Sequence, residues 1–213
     1  MSDNKKLRVA IMAPPWLKIP VKGYGGVEMV IDSLVQGLSK HPEVEVEIFG
    51  VGGRNLHGAK VHSVTKQEQF EHILKPMYDF ALPIAAYHVL ESLDRILDDG
   101  KFDVIHDHNY FLGPAVLSWA SRATDVPPVV HTIHGPPLTT ANSVRAGMPD
   151  NRPFWRAIDS DHGCYFVSIS DAMKNSMPRE LGGQLLDTVH NAINIDDFPF
   201  VGREGRRNYF VTF

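Results

Sequence analysis

Apolar positions along this chain follow two rhythms, short continuous runs and longer stretches at helical spacing, and the two alternate. Arg8 to Ala13 (RVAIMA) is a compact apolar run closed by Pro14-Pro15, which reads as a strand buried on both faces of a parallel sheet. Behind Gly25-Gly26, the residues Val27, Val30, Ile31, Leu34, Val35 and Leu38 recur with the period of an amphipathic helix. Glu43 to Val51 alternates as a second strand, and residues 83 to 98 space Ile84, Tyr87, Leu90, Leu93 and Leu97 along one helix face, stopped by Asp98, Asp99 and Gly100. A strand over Phe102 to His106 follows. Pro114 suits the first turn of a helix over 114 to 122, and Val129 to His134 reads as the next buried strand. Cys164 to Ile169 is a further strand, Ser170 is placed to cap a helix over Asp171 to Met177, and Leu185 to His190 supplies a last strand.

Strands alternating with helices of this length predict right-handed β-α-β units. The fold class is therefore α/β, a Rossmann-like doubly wound parallel sheet with helices on both faces. One domain is expected over residues 1 to 200. The polar VGREGRRN stretch and the apolar Tyr209 to Phe213 then read as a linker over 201 to 213 leading into the first strand of a further domain. Exposure of that tail would invite self-association by strand pairing. Gly135 to Pro153, rich in Pro, Thr and Asn, reads as a functional loop rather than a linker.

Composition narrows the function. With 43% hydrophobic and 22% charged residues the chain has material for a sizeable core, and a net charge of -4 gives no electrostatic reason to bind nucleic acid. The apolar run after the basic start is too short for a signal peptide or a membrane span, and the single cysteine, Cys164, excludes an intrachain disulfide. A cytoplasmic location is the expectation.

In an open α/β sheet ligands bind beyond the carboxyl ends of the strands, so chemistry should gather in the loops after residues 13, 50, 106, 134 and 169. Three of these loops carry unusual residues. Gly25-Gly26-Val27-Glu28 opens a helix, where glycines let a phosphate approach unpaired amides at the positive end of the dipole; a packing turn is the plainer reading. The spacing is neither a dinucleotide fingerprint nor a P-loop. His106-Asp107-His108 closes a strand with both histidines on one side and Asp107 on the other, and His131-Thr132-Ile133-His134-Gly135 closes the next. The histidines fit half a metal site, yet Asn109-Tyr110 follow where a hydrolase cluster would need another ligand.

Taken in order, GGVE, DVIHDH, HTIHG, VSISDAM and VHNAINIDDF resemble the amino-terminal domain of retaining glycosyltransferases of the family 4 (group 1) type, enzymes of the two-domain B fold. The resemblance runs from Leu7 to about Phe200. It implies that a carboxyl-terminal domain holds the nucleotide-sugar donor and carries the glutamate-containing donor motif, while this half supplies the acceptor cleft. The reaction implied is transfer of a hexose-like sugar to an acceptor that is a sugar, a lipid or another small molecule, with the nucleotide sugar as substrate and neither cofactor nor metal. Carried onto matching positions, Gly25 and Gly26 lie near the donor phosphates, with Gly26 expected to need its missing side chain for close approach. His134 contacts the transferred sugar as the catalytic residue, and Asp107, His108 and Asn109 belong to the acceptor side. Asn191 is followed by Ala192, Ile193 and Asn194 where the family has Asn-Gly-Val-Asp, a departure before Asp196-Asp197-Phe198 restores the pattern. Without its partner domain the chain is expected to fold but not to transfer sugar.

Two other readings stay open on the sequence. One is a metal-dependent hydrolase using His106, His108, His131 and His134; the other is a non-catalytic sugar- or nucleotide-binding module. Arg145, Arg152 and Arg156 are placed to meet an anionic acceptor, although arginines on a loop are usually just solvated.

Overall fold

The computed structural model describes residues 5–73, 81–110, 112–135, 158, 163–177 and 179–194. Within them the chain runs β1 (Leu7–Met12), α1 (Gly26–Leu38), β2 (Val44–Val51), β3 (Lys60–Thr65), α2 (Ala81–Asp99), β4 (Val104–Asp107) and α3 (Leu112–Ala120). β5 (Val129–Ile133), β6 (Cys164–Ser168), α4 (Asp171–Ser176) and β7 (Leu185–Thr188) complete it. The loop Gly135 to Pro153, its Arg145 and Arg152, Arg156, the Asp196-Asp197-Phe198 end and the 201 to 213 linker lie outside the described residues.

Among the described residues the seven strands form one parallel sheet in the order β3-β2-β1-β4-β5-β6-β7. The chain winds outward from β1 through β2 to β3, then crosses back by α2 to lay β4 on the other side of β1. Strand order thus reverses between β1 and β4, and the loops that leave their carboxyl ends diverge to opposite faces.

Each face of the sheet has its own core, which is why β1 reads as an unbroken apolar run. Ala10 and Met12 face α2 and α3, packing with Phe49, Val89, Leu93, Ile96, Ile105 and Leu117. Val9, Ile11 and Ala13 face α1, packing with Ile31, Val35 and Ile48. Ile11, Met12, Ile31 and Ile105 have essentially no solvent exposure; each such side chain contributes about 1.5–3 kcal/mol of transfer free energy. Ser170 caps α4, its hydroxyl accepting the Met173 amide at 3.2 Å.

The expected elements form with ends shifted by no more than two residues, and one strand is additional. β3 arises within 52 to 82. Lys60–Thr65 is an edge strand of which only Val64 is buried, and the register slips where β2 leaves Gly50 for Val51. An edge needs no two-sided apolar run, so the signal that marked the other strands is absent there.

Candidate functional site

The two strands at the reversal are tied together at their carboxyl ends. The His108 amide donates to the Met12 carbonyl at 3.1 Å, and the Asn109 side-chain amide reaches the same carbonyl at 3.2 Å. From α2, His88 Nε2 donates to the Ala13 carbonyl at 2.7 Å. Burial lowers His88 to a pKa of about 4, against the opposing pull of that carbonyl. The loop after β1 is held from its other side: the Gln69 amide bonds the Trp16 carbonyl at 3.0 Å, and Tyr24 packs on Phe70 with ring centroids 5.2 Å apart.

These pieces enclose a cavity of about 350 Å³ at the strand-order reversal. Its walls are Pro14, Trp16, Leu17, Tyr24, Phe70 and Leu82; its polar lining is Glu28, His108 and Asn109. A concave, mostly apolar site with a few converging polar groups is the usual form of a small-molecule site. Tyr110, also lining it, sits at φ 32, a left-handed conformation that a tyrosine rarely adopts.

Asp107, His108 and Asn109 share one strand end but face different ways. Asp107 and His131 are each 1% exposed and pair through Oδ2 and Nδ1 at 2.9 Å. The other carboxylate oxygen accepts the Asn109 backbone amide at 3.2 Å and side-chain amide at 2.9 Å. Residue 113 must be glycine, because a Cβ there would collide with the Asp107 carboxylate. Asp107 therefore lies beneath the site, fixing Asn109, and Asn109 keeps its side-chain oxygen for the cavity it lines. Burial acts to lower the His131 pKa, but the Asp107 carboxylate and the Cys164 thiol beside it outweigh this and raise it.

One residue along each strand, the side chains turn to the opposite face. His106 Nε2 meets Thr132 Oγ1 at 2.7 Å, the His106 and His108 ring centroids lie 4.3 Å apart, and His108 Nδ1 meets His134 Nε2 at 2.7 Å. Burial keeps this row neutral: it lowers His106 and His134 to about 4 and His108 well below its ordinary value. His108 Nε2 is buried with no hydrogen-bond partner among the described residues.

The four histidines of the hydrolase reading are not brought together. His131 lies on the other face, bound to Asp107, and His108 and His134 spend facing nitrogens on each other. Among the described residues no group of three or more His, Cys, Asp or Glu is placed to hold a metal ion.

At the head of α1 the conformational demand falls on Gly25. Its φ of 147 lies outside the range open to other residues, and a Cβ would come 2.7 Å from Val21 Cγ1. Gly26, the first helical residue, is exposed, and a Cβ there would meet nothing within 4 Å. Next to them is Glu28, 4% exposed, which carries more of the site than its place in GGVE suggested. Burial and then the charge of Glu68 push its carboxyl pKa up, while its own amide and that of Leu17 hold against them. Trp16, Tyr24, Phe70 and Leu82 were also not marked by the sequence; the available signal was a set of aromatic residues near the strand-end loops.

A doubly wound α/β domain with its ligand cleft at the reversal of strand order is thus the class that fold and site define. The Glycosyltransferase Family 4 model matches residues 24–197, more than half of the sequence, and the chain belongs to that family. Among solved structures, the N-terminal domain of Candida albicans trehalose-6-phosphate phosphatase is similar in fold, with a TM-score of 0.52 at 13% identity. That likeness covers 81% of this chain and 42% of the other, so the chain spans less than half the length of the structure it matches. No curated protein sequence matches. No helix among the described residues is long and apolar enough to cross a membrane.

Proposed function

We propose that this chain forms the acceptor-side half of a retaining glycosyltransferase that moves a hexose-like sugar from a nucleotide sugar to a hydroxyl-bearing acceptor. The observation that carries the reading is the cavity at the strand-order reversal, bordered in a family 4 chain by GGVE on one side and by His108 and Asn109 on the other. Donor phosphates are assigned to the cleft side of Gly25 and Gly26. There the head of α1, exposed at Gly26, offers amides and a positive dipole end to the charge that grows as the nucleoside diphosphate departs.

His134 is assigned to the transferred sugar. A neutral imidazole, half-buried and fixed through Nε2 by His108, can offer Nδ1 to a sugar hydroxyl without attracting the diphosphate. The acceptor occupies the cavity, its hydroxyl beside Asn109, whose orientation Asp107 sets. Glycosyl transfer makes a bond from the acceptor oxygen to the anomeric carbon and breaks the bond from that carbon to the donor phosphate. The acceptor loses its proton as the diphosphate leaves. The donor-binding domain and the cytoplasmic setting belong to the same proposal.

Incubation of the enzyme complete with its donor-binding half with a panel of nucleotide hexoses and an alcohol acceptor, read by the proton coupling at the anomeric carbon of the product, tests the reaction. Retained anomeric configuration without added metal is the expected result. An inverted product, or hydrolysis that requires zinc, would overturn it.

A further inference from the structure

We propose that the acceptor is a compact, uncharged alcohol with an aromatic or alicyclic body, and that its hydroxyl is seated by His108 Nε2 and Asn109. This rests on the glycosyl-transfer reading and names the substrate class of the same cleft.

Three observations carry it. The first is the wall of the cavity: Tyr24 is 76% and Leu82 60% exposed, and both face it together with Trp16 and Phe70. Large apolar side chains left open around a concavity of about 350 Å³ gain most from a ligand that covers them with rings. The second is charge. Among the described residues no lysine or arginine lines this cavity, and its only carboxyl, Glu28, is pushed toward the neutral form by burial. The cations sit next door, where Lys18, Lys22, Arg54 and Lys66 border a separate cavity of about 730 Å³. An anionic acceptor would find no cationic side chain in the first cavity, and the amides at the head of α1 that line it are assigned to the donor phosphates, whereas a neutral ring needs neither.

The third observation is the unmatched polar equipment. His108 is 2% exposed and lines the cavity, its Nδ1 is taken by His134, and its Nε2 has no partner among the described residues. Asn109 donates both side-chain bonds to Met12 and Asp107, which leaves its oxygen to accept. The two histidine tautomers are coupled: if His108 Nδ1 donates to His134, Nε2 accepts, and if His134 donates, Nε2 donates. A hydroxyl, donor and acceptor at once, satisfies either state and can donate to Asn109 in the second. A buried nitrogen without a partner has lost its hydration with nothing in return, and the hydroxyl restores a hydrogen bond to it on binding.

The test is binding to the protein without donor, so it stands apart from the transfer assay. Naphthylmethanol, glucose and glycerol phosphate are titrated while the indole amide of Trp16 and the imidazole nitrogens of His108 are followed by nitrogen-15 NMR. Naphthylmethanol is expected to shift both and to bind at least about tenfold more tightly than either polar probe. Leu82→Glu and Tyr24→Ser, changes at exposed positions that leave the core intact, should each weaken it about tenfold, and Lys66→Ala should not. His108→Gln should remove the preference for the alcohol over naphthalene. Tighter binding of glucose or glycerol phosphate at Trp16, or naphthylmethanol binding indifferent to Leu82→Glu, overturns the proposal. Sugar transfer to some other acceptor would then leave the glycosyltransferase reading standing.

Discussion

The carboxyl ends of β4 and β5 carry two pairs of bonded side chains, one on each face of the sheet, and the pairs have opposite characters. On the α3 face, Asp107 and His131 form a buried ion pair at 2.9 Å in which every Asp107 oxygen is engaged and His131 is held toward its charged form. On the other face, His108 and His134 form a neutral pair at 2.7 Å; Nε2 is buried without a hydrogen-bond partner among the described residues in both His108 and His131, but only His108 lines the cavity. Both pairs sit at the carboxyl ends of the same two strands, the first a register pair buried on both sides and the second a step further out, with His134 half-buried. What differs is the presence of a carboxylate: with one, a histidine becomes part of the scaffold, and without one it stays uncharged and available to a ligand.

Acid should collapse this contrast and have the largest effect. His88, His106 and His134 have folded pKa values of about 4, below the ordinary 6.5, and His108 lies well below it too. The unfolded chain takes up protons below about pH 6.5 while the folded chain does not, so stability is expected to fall as pH drops from there toward 4. Each histidine contributes up to about 1.4 kcal/mol per pH unit. His131 works in the opposite sense, its contribution being lost as pH rises through its raised value, but it is outnumbered. Urea midpoints measured across pH 7 to about 4 should decline steadily; a flat profile would contradict neutral burial of the row.

Next in size is Asp107→Ala, expected to cost about 3–5 kcal/mol because it leaves buried His131 Nδ1 and the two Asn109 amide groups without their acceptor. Chemical denaturation measures it. A loss no greater than that of His106→Ala would erase the distinction between the two faces.

On the ligand face the change should appear in turnover instead. In the enzyme complete with its donor-binding half, His134→Ala is expected to lower turnover roughly a hundredfold, about 2.7 kcal/mol of transition-state stabilisation, while the protein stays folded. Unchanged turnover in a well-folded variant would remove His134 from the chemistry.

Smaller still is the contrast between neighbouring glycines. Gly25→Ala should destabilise by about 1–3 kcal/mol, since it forces a side chain into a disallowed φ against Val21. Gly26→Ala should change stability by less than about 0.5 kcal/mol. If Gly26→Ala weakens donor use without altering the melting temperature, the amides at the head of α1 act on the donor, as proposed above.

The α/β class, the parallel order of buried strands, the Ser170 cap and the opposed facing of His106 and Asp107 were all legible in the sequence, because each follows from a period of two, a period of 3.6 or a local hydrogen bond. The motif order also marked the family, and the loops after β1 and β4, which border the cavity, stood out by their residues. Sequence could not show that Asp107 lies beneath the cleft, that His108 pairs with His134 rather than with a metal, or that Gly25 and not Gly26 bears the backbone constraint. Nor could it mark β3, or the wall of Trp16, Tyr24, Phe70 and Leu82. Those depend on which segments meet after residues 50 to 75 positions apart in the chain pack together, as His88 does on Ala13 and Lys18 on Glu68. Local periodicity fixes which face a side chain takes, but its partner across the sheet, and hence its charge, is decided only when the strands are in register.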